Sequence, residues 1–185
     1  IFSYSFFSDA PTNVEKLPDN LYISMTYLCN TFRNPEIKKK FEERIKSFSR
    51  LGAKFVGREY WGTHYYCNMP WLHTKLIAEN LKFIQSHGAM GIYGECGKDW
   101  SNNALNYYVL ARMMWNPGLK LEDVVDDFCR NAFGGGAEAM KAYFEYVENH
   151  IDRYYSGREF GNGYAAGLND FVAMFDKEFV RKGNQ

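Results

Sequence analysis

The sequence predicts an α/β fold: the C-terminal half of a (β/α)8 TIM-type barrel followed by a helical C-terminal extension. Three observations lead there. Short β-rich apolar runs alternate with amphipathic helical segments over residues 1–103, the order expected of a parallel sheet with crossover helices. Two runs repeat: Gly52-Ala53-Lys54-Phe55-Val56-Gly57-Arg58-Glu59 aligns with Gly88-Ala89-Met90-Gly91-Ile92-Tyr93-Gly94-Glu95, 36 residues on (95 − 59). That offset suits one βα unit. Over residues 104–185 the pattern is helical throughout.

The elements follow in order. Phe2 to Phe7 reads as a strand closed by Ser8-Asp9-Ala10-Pro11, and Leu21 to Tyr27 as a second. Asn34-Pro35 supplies a cap and a Pro at the first helical position. Ile37, Phe41, Ile45, Phe48 and Leu51 then mark one face of a helix that Gly52 ends. Ala53 to Tyr60 is a strand. Leu72, Leu76, Ile77, Leu81 and Ile84 mark the next helix, ended by Gly88, and Ala89 to Glu95 is the last strand. Helices follow over Ala104 to Trp115, stopped by Asn116-Pro117-Gly118, over Leu121 to Ala132, and over Ala137 to Tyr155 beyond Gly134-Gly135-Gly136. A Gly-rich patch from Gly157 to Gly167 precedes a helical segment around Phe171, Phe175 and Phe179. Four strands alone would leave exposed sheet edges and apolar flanks. The expectation is therefore a missing N-terminal half-barrel, in the same or another chain, in keeping with an opening Ile-Phe-Ser that lacks Met.

Composition narrows the function. Hydrophobic residues make up 46% of the 185 residues, enough for a packed core. Lys+Arg and Asp+Glu balance at 22 each, and without a basic stripe nucleic-acid binding by phosphate neutralisation is not expected. No apolar run approaches the ~20 residues that span a bilayer. Cys29, Cys67, Cys96 and Cys129 form neither a C-x-x-C pair nor a zinc pattern. No His/Asp/Glu set has metal-ligand spacing, so neither metal nor cofactor is expected. The aromatic content of 18% is high; most such rings fill cores, but ring faces also stack on the C–H faces of sugars.

The repeat delivers Glu59 and Glu95 to equivalent positions at the same end of neighbouring strands. Side-chain alternation puts Phe55, Gly57 and Glu59 on one face, as it does Gly91, Tyr93 and Glu95. Catalytic groups of such barrels occupy the C-terminal strand ends. A carboxylate pair is the working equipment of glycoside hydrolysis, and the plainer role for each Glu is a salt bridge at a strand end. Asp9, ending the first strand, is a substrate contact or a turn former. Trp61, His64, Tyr65 and Tyr66 follow Glu59 in a loop that reads as a sugar platform or as packing against a neighbouring domain. His73 and His87 read as surface or capping residues. Asp99 caps the helix near Ala104 or contacts substrate, and Trp100 stacks on substrate or plugs the barrel mouth.

Arg58-Glu59-Tyr60-Trp61-Gly62 resembles the strand-end motif of microbial alpha-glucuronidases. The run from Gly91-Ile92-Tyr93-Gly94-Glu95 through Asp99-Trp100 to Trp115-Asn116-Pro117 is similar to their last strand, loop and helix. It resembles more closely a group of uncharacterised bacterial proteins related to those enzymes, in which Phe133-Gly134-Gly135-Gly136-Ala137 also has a counterpart. Arg58 stands where the enzymes carry Gln, and Glu95 where they carry a non-acidic residue. The resemblance implies a carbohydrate substrate, cleavage of polysaccharide side chains, and a secreted, periplasmic or cell-surface bacterial location. It places the general acid on an earlier strand outside this chain. On that reading Glu59 is the nucleophile or the base that activates water, and Glu95 assists. The alternative is a non-catalytic carbohydrate-binding barrel.

Overall fold

The computed structural model describes residues 1–60, 70–95, 100–155 and 172–183. Strands β1 (Phe2–Ser3), β2 (Tyr22–Tyr27), β3 (Lys54–Tyr60) and β4 (Ala89–Glu95) form one parallel sheet in the order β1-β2-β3-β4. Helix α1 (Pro35–Arg50) links β2 to β3, and α2 (Thr74–Ser86) links β3 to β4. Helices α3 (Trp100–Trp115), α4 (Leu121–Phe133) and α5 (Ala137–Tyr155) follow, with a short α6 (Lys177–Gly183) near the end. The chain is thus a mixed α/β protein with a four-stranded parallel sheet and many helices.

Local sequence explains most boundaries. Asn34 caps α1 by accepting from the Glu36 and Ile37 amides at 2.9 and 3.3 Å, with Pro35 in the first turn. Gly52 and Gly88 follow α1 and α2 with φ of 70° and 91°, a region that Cβ-bearing residues avoid. The first strand is shorter than its pattern suggests. Pairing with β2 covers only Phe2 and Ser3. Ser5 then turns to φ 52°, Ser5–Phe7 form a 3-10 turn, and the Ser3 hydroxyl donates to the Ser8 carbonyl at 2.7 Å. Phe6 and Phe7 are left 96% and 82% exposed.

One face of the sheet is covered. Ile23, Met25 and Tyr27 of β2, Phe55 of β3 and Ile92 of β4 are buried with Phe41 and Ile45 of α1 and Ile77 and Leu81 of α2. Full burial of such side chains contributes ~1.5–3 kcal/mol each. Tyr27 packs on Phe41 at 4.7 Å between ring centroids and accepts from Asn80 of α2 at 3.0 Å. Gly57 lies beneath this layer. A Cβ there would come within 2.6 Å of Ile92 Cγ1 and 2.8 Å of the Tyr27 hydroxyl.

The later helices are tied to the sheet through the residues that lead into α2. Helix α3 packs on α2, and α4 on both α3 and α5. Asn103 of α3 accepts from the Trp71 amide at 3.0 Å. Asn106 accepts from the His73 amide at 3.1 Å and donates to the Trp71 carbonyl at 2.8 Å. Arg33 donates to the Leu72 carbonyl at 2.7 Å and pairs with Asp152 of α5 at 2.7 Å. Glu148 of α5, buried, caps α2 from outside. It accepts from the Thr74 hydroxyl at 2.6 Å and the Lys75 amide at 3.0 Å, where the amino end of a helix favours negative charge.

Three substitutions test this packing. Gly57→Ala should lower stability by ~1–3 kcal/mol through overpacking, read by urea denaturation. Gly91→Ala, where an added Cβ meets nothing within 4 Å, should stay within about 0.5 kcal/mol of wild type. Glu148→Ala should cost ~1–3 kcal/mol by orphaning the buried Thr74 hydroxyl and the part-buried Lys75 amide, and a loss no larger than that of Gly91→Ala would dismiss the capping role.

Candidate functional site

The β3–β4 ladder sets the geometry of both candidate carboxylates. It pairs Phe55 with Ala89 but Gly57 with Ile92, so β3 advances two residues while β4 advances three. This bulge puts Glu59 opposite Gly94, and Glu95 opposite Tyr60. A one-residue shift exchanges the faces of a strand. The expected equivalence of Glu59 and Glu95 is therefore corrected: the two side chains leave opposite faces of the sheet and share no basin.

Glu59 lies on the covered face, 1% exposed. It accepts from the Cys29 amide at 2.7 Å and the Tyr60 amide at 3.0 Å. Cys29 opens a 3-10 turn, Cys29–Arg33, whose flanking residue supplies no side-chain cap. Glu59 fills that role from the neighbouring strand. Burial raises its carboxyl well above the ordinary value, and the two amide bonds only partly oppose this. Burial first, then the Glu59 charge, likewise raises the Cys29 thiol and the Tyr27 hydroxyl.

Glu95 lies on the open face with Arg58, with which it forms an ion pair, the side chains 47% and 19% exposed. The Arg58 guanidinium also sits over Tyr60 at 4.9 Å, Tyr4 at 5.9 Å and Phe2 at 6.0 Å from the ring centres. Burial works to lower the Arg58 value, but Tyr60 and Glu95 outweigh it and hold it above its usual range. The Tyr60 hydroxyl is raised, by burial first and by its hydrogen bond with Tyr4 second. On the same face, Tyr93 reaches across β3 to share a 2.7 Å hydrogen bond with Ser24 of β2. A cation set among ring faces, beside a carboxylate and hydroxyls, can hold a polyhydroxylated ligand by stacking and by hydrogen bonds.

The other expected site residues divide three ways. Trp61, His64, Tyr65, Tyr66 and Asp99 lie outside the described residues, as do Cys67 and Cys96. Trp100 opens α3, 59% exposed, stacks on Tyr107 at 4.4 Å, and with Tyr93 lines a groove of about 440 Å³. Asp9 is exposed at the rim of a different cavity, about 430 Å³, beside α1. His73, expected at the surface or as a cap, occupies the N-cap position of α2 without a side-chain cap bond and is buried, because α3 and α5 close over the entry to α2. Cys29 and Cys129 are buried free thiols. Among the described residues no group of His, Cys, Asp and Glu could hold a metal ion, and no helix is long and apolar enough to cross a membrane.

Residues 1–145 match a family model described as Domain of unknown function (DUF4838). The chain belongs to the DUF4838 family. No curated protein and no solved structure matches it. The stretch of this DUF4838 chain that matches holds all four strands and α1 to α4. Glu148 and Asp152, which fasten α2 and Arg33, fall just beyond it.

Sequence reasoning passed over Arg58, Tyr4, Tyr93 and Ser24 in this DUF4838 chain. Their signal was the other phase of the same strands: Arg58 and Tyr60 alternate with Glu59, and Tyr93 with Gly94. Which phase faced open space was not legible until the sheet had a covered side.

His73 gives the region a pH signature. Burial, with Arg33 adding to it, lowers its value from 6.5 to about 3. As pH falls below about 6.5 the unfolded chain takes up a proton that the folded chain refuses until about pH 3. Stability from this group is full at neutral pH and lost with acid across that window. Glu59, raised by folding, works in the opposite sense. Denaturation at pH 7 and pH 4 should show His73→Gln losing less stability on acidification than wild type; equal losses would rule this assignment out.

Proposed function

We propose that this chain carries the sugar-binding face of a carbohydrate-active (β/α)8-type barrel, engaging an oligosaccharide or polysaccharide at the C-terminal ends of β1–β4. One observation carries the reading: the Arg58–Glu95 pair ringed by Tyr4, Tyr60 and Phe2, with Tyr93 beside it, on the sheet face that none of the described helices covers. Parallel strands in sequential order with β1 and β4 as edges suit four of eight barrel strands, the others coming from the same or another polypeptide. In a closed barrel the open face turns inward. Its lower residues then become packed interior, and the strand-end set of Tyr4, Arg58, Tyr60 and Glu95 forms the floor of the site.

Within this reading Glu59 holds the β2 turn and Glu95 is the carboxylate available to a ligand. Binding is therefore the primary activity. Hydrolysis, in line with the alpha-glucuronidase resemblance, is the second reading, favoured by the partial exposure of Glu95 at a strand end. It needs a second carboxylate from beyond the described residues.

A glycan array followed by calorimetry tests the proposal. Tyr93→Ala and Tyr60→Ala should each weaken oligosaccharide binding about tenfold, or ~1.4 kcal/mol. Glu95→Gln should leave folding stability within about 0.5 kcal/mol while changing binding or turnover. Glu59→Gln should lower stability by ~1–3 kcal/mol, since its amide must face a backbone N–H. No binding to any glycan on the array would refute the reading. Turnover that survives Glu95→Gln but not a fully folded Glu59→Gln would restore Glu59 to the chemistry.

A further inference from the structure

We infer that Phe6 and Phe7 form a stacking finger of the proposed sugar site, holding a second unit of a saccharide chain next to the unit seated at Arg58 and Tyr60. The inference rests on the sugar-binding reading and narrows its ligand to a chain of at least two units. With Trp115, these are the most exposed large apolar side chains among the described residues. Their exposure is not an effect of the sheet edge. A strand added to the free edge of β1 would pair along Phe2 and Ser3, the residues already paired to β2. Phe6 and Phe7 lie past that ladder, on the loop side of the strand ends, where barrels of this kind take their ligands.

The turn that carries the two rings is held at its base. The Phe7 amide donates to the Tyr4 carbonyl at 3.0 Å, and the bond from the Ser3 hydroxyl to the Ser8 carbonyl closes the neck. Between them Ser5 sits at φ 52°, the one residue other than Gly with positive φ among the described residues; at Gly52, Gly88 and Gly134 the chain meets the same demand with Gly. Strain kept in a turn that leaves its own tip unburied points to a use for that tip. The tip is also fixed to the site. Tyr4, which opens the turn, has its ring 5.9 Å from the Arg58 guanidinium and shares a hydrogen bond with Tyr60. Tyr4, Ser5 and Tyr60 line one cavity, so the turn continues the wall of the site. Phe6 is two residues from Tyr4, within about 7 Å of it along the chain. Phe rings have no polar atom, so the finger takes the C–H face of the second unit and leaves selection by hydrogen bonds to Tyr60, Tyr93 and Glu95.

Calorimetry on the full chain with malto-, cello- and xylo-oligosaccharides of one to four units tests the finger. Wild type should bind chains of two or more units more tightly than the matching monosaccharide. Phe6→Ala combined with Phe7→Ala should remove that gain, about tenfold in Kd, and leave monosaccharide affinity and Tm unchanged. Phe6→Trp combined with Phe7→Trp, which keeps the ring faces, should preserve it. Three results overturn the finger and leave the sugar site standing: no gain with chain length in wild type, a double alanine variant that binds chains as tightly as wild type, or one that loses monosaccharide and chain affinity equally. A double alanine variant that instead turns a dimer into a monomer in sedimentation assigns the tip to a protein contact and overturns it too. Absence of binding by every saccharide sinks the finger together with the sugar reading, so the two failures read differently.

Discussion

The ladder between β3 and β4 changes phase between the Phe55–Ala89 pair and the Gly57–Ile92 pair, and every side chain beyond that point takes its face from the change. The extra residue in β4 sends Ile92 toward the helices, where it meets Tyr27 over Gly57. It sends Tyr93 and Glu95 the other way. Had the strands stayed in step, Glu95 would share the covered face with Glu59 two residues further along, two carboxylates in an apolar layer where like charges disfavour ionisation. The bulge separates them and gives Arg58 its partner.

Glu59 and Glu148 solve the same problem at two places. A strand end followed by a 3-10 turn, and the first turn of a helix, both leave amides without partners in the protein interior. Each is satisfied by a carboxylate from a distant element: Glu59 for Cys29, Glu148 for Lys75 and the Thr74 hydroxyl. Asn103 and Asn106 serve the intervening backbone. These buried polar contacts fix how α3 and α5 sit against the βα units more specifically than apolar packing would, because each bond admits few geometries. Little of this polar hardware is therefore free for chemistry.

What remains available lies on the uncovered face and at the strand ends. There the aromatic residues are exposed around charged groups instead of being enclosed by apolar ones. Tyr60 and Tyr4 connect the Arg58–Glu95 pair to the cavity that holds Arg44.

Local chemistry in the chain was enough to determine the elements: Asn34-Pro35 started α1, the Ile37–Leu51 stripe gave its buried face, and Gly52 and Gly88 marked the helix ends, because caps, periodicity and positive φ act within a few residues. It also determined that an acidic residue stands at or next to the end of β3 and β4. Tertiary structure alone decided the rest. The bulge chose opposite faces for Glu59 and Glu95, since register is a property of two strands and no spacing within one chain reports it. Burial of His73 came from α3 and α5 closing over the α2 entry, and the shortness of β1 from its turning away at Ser5 while β2 runs on to Tyr27. Those contacts join residues dozens of positions apart, and nothing at either end announces the other.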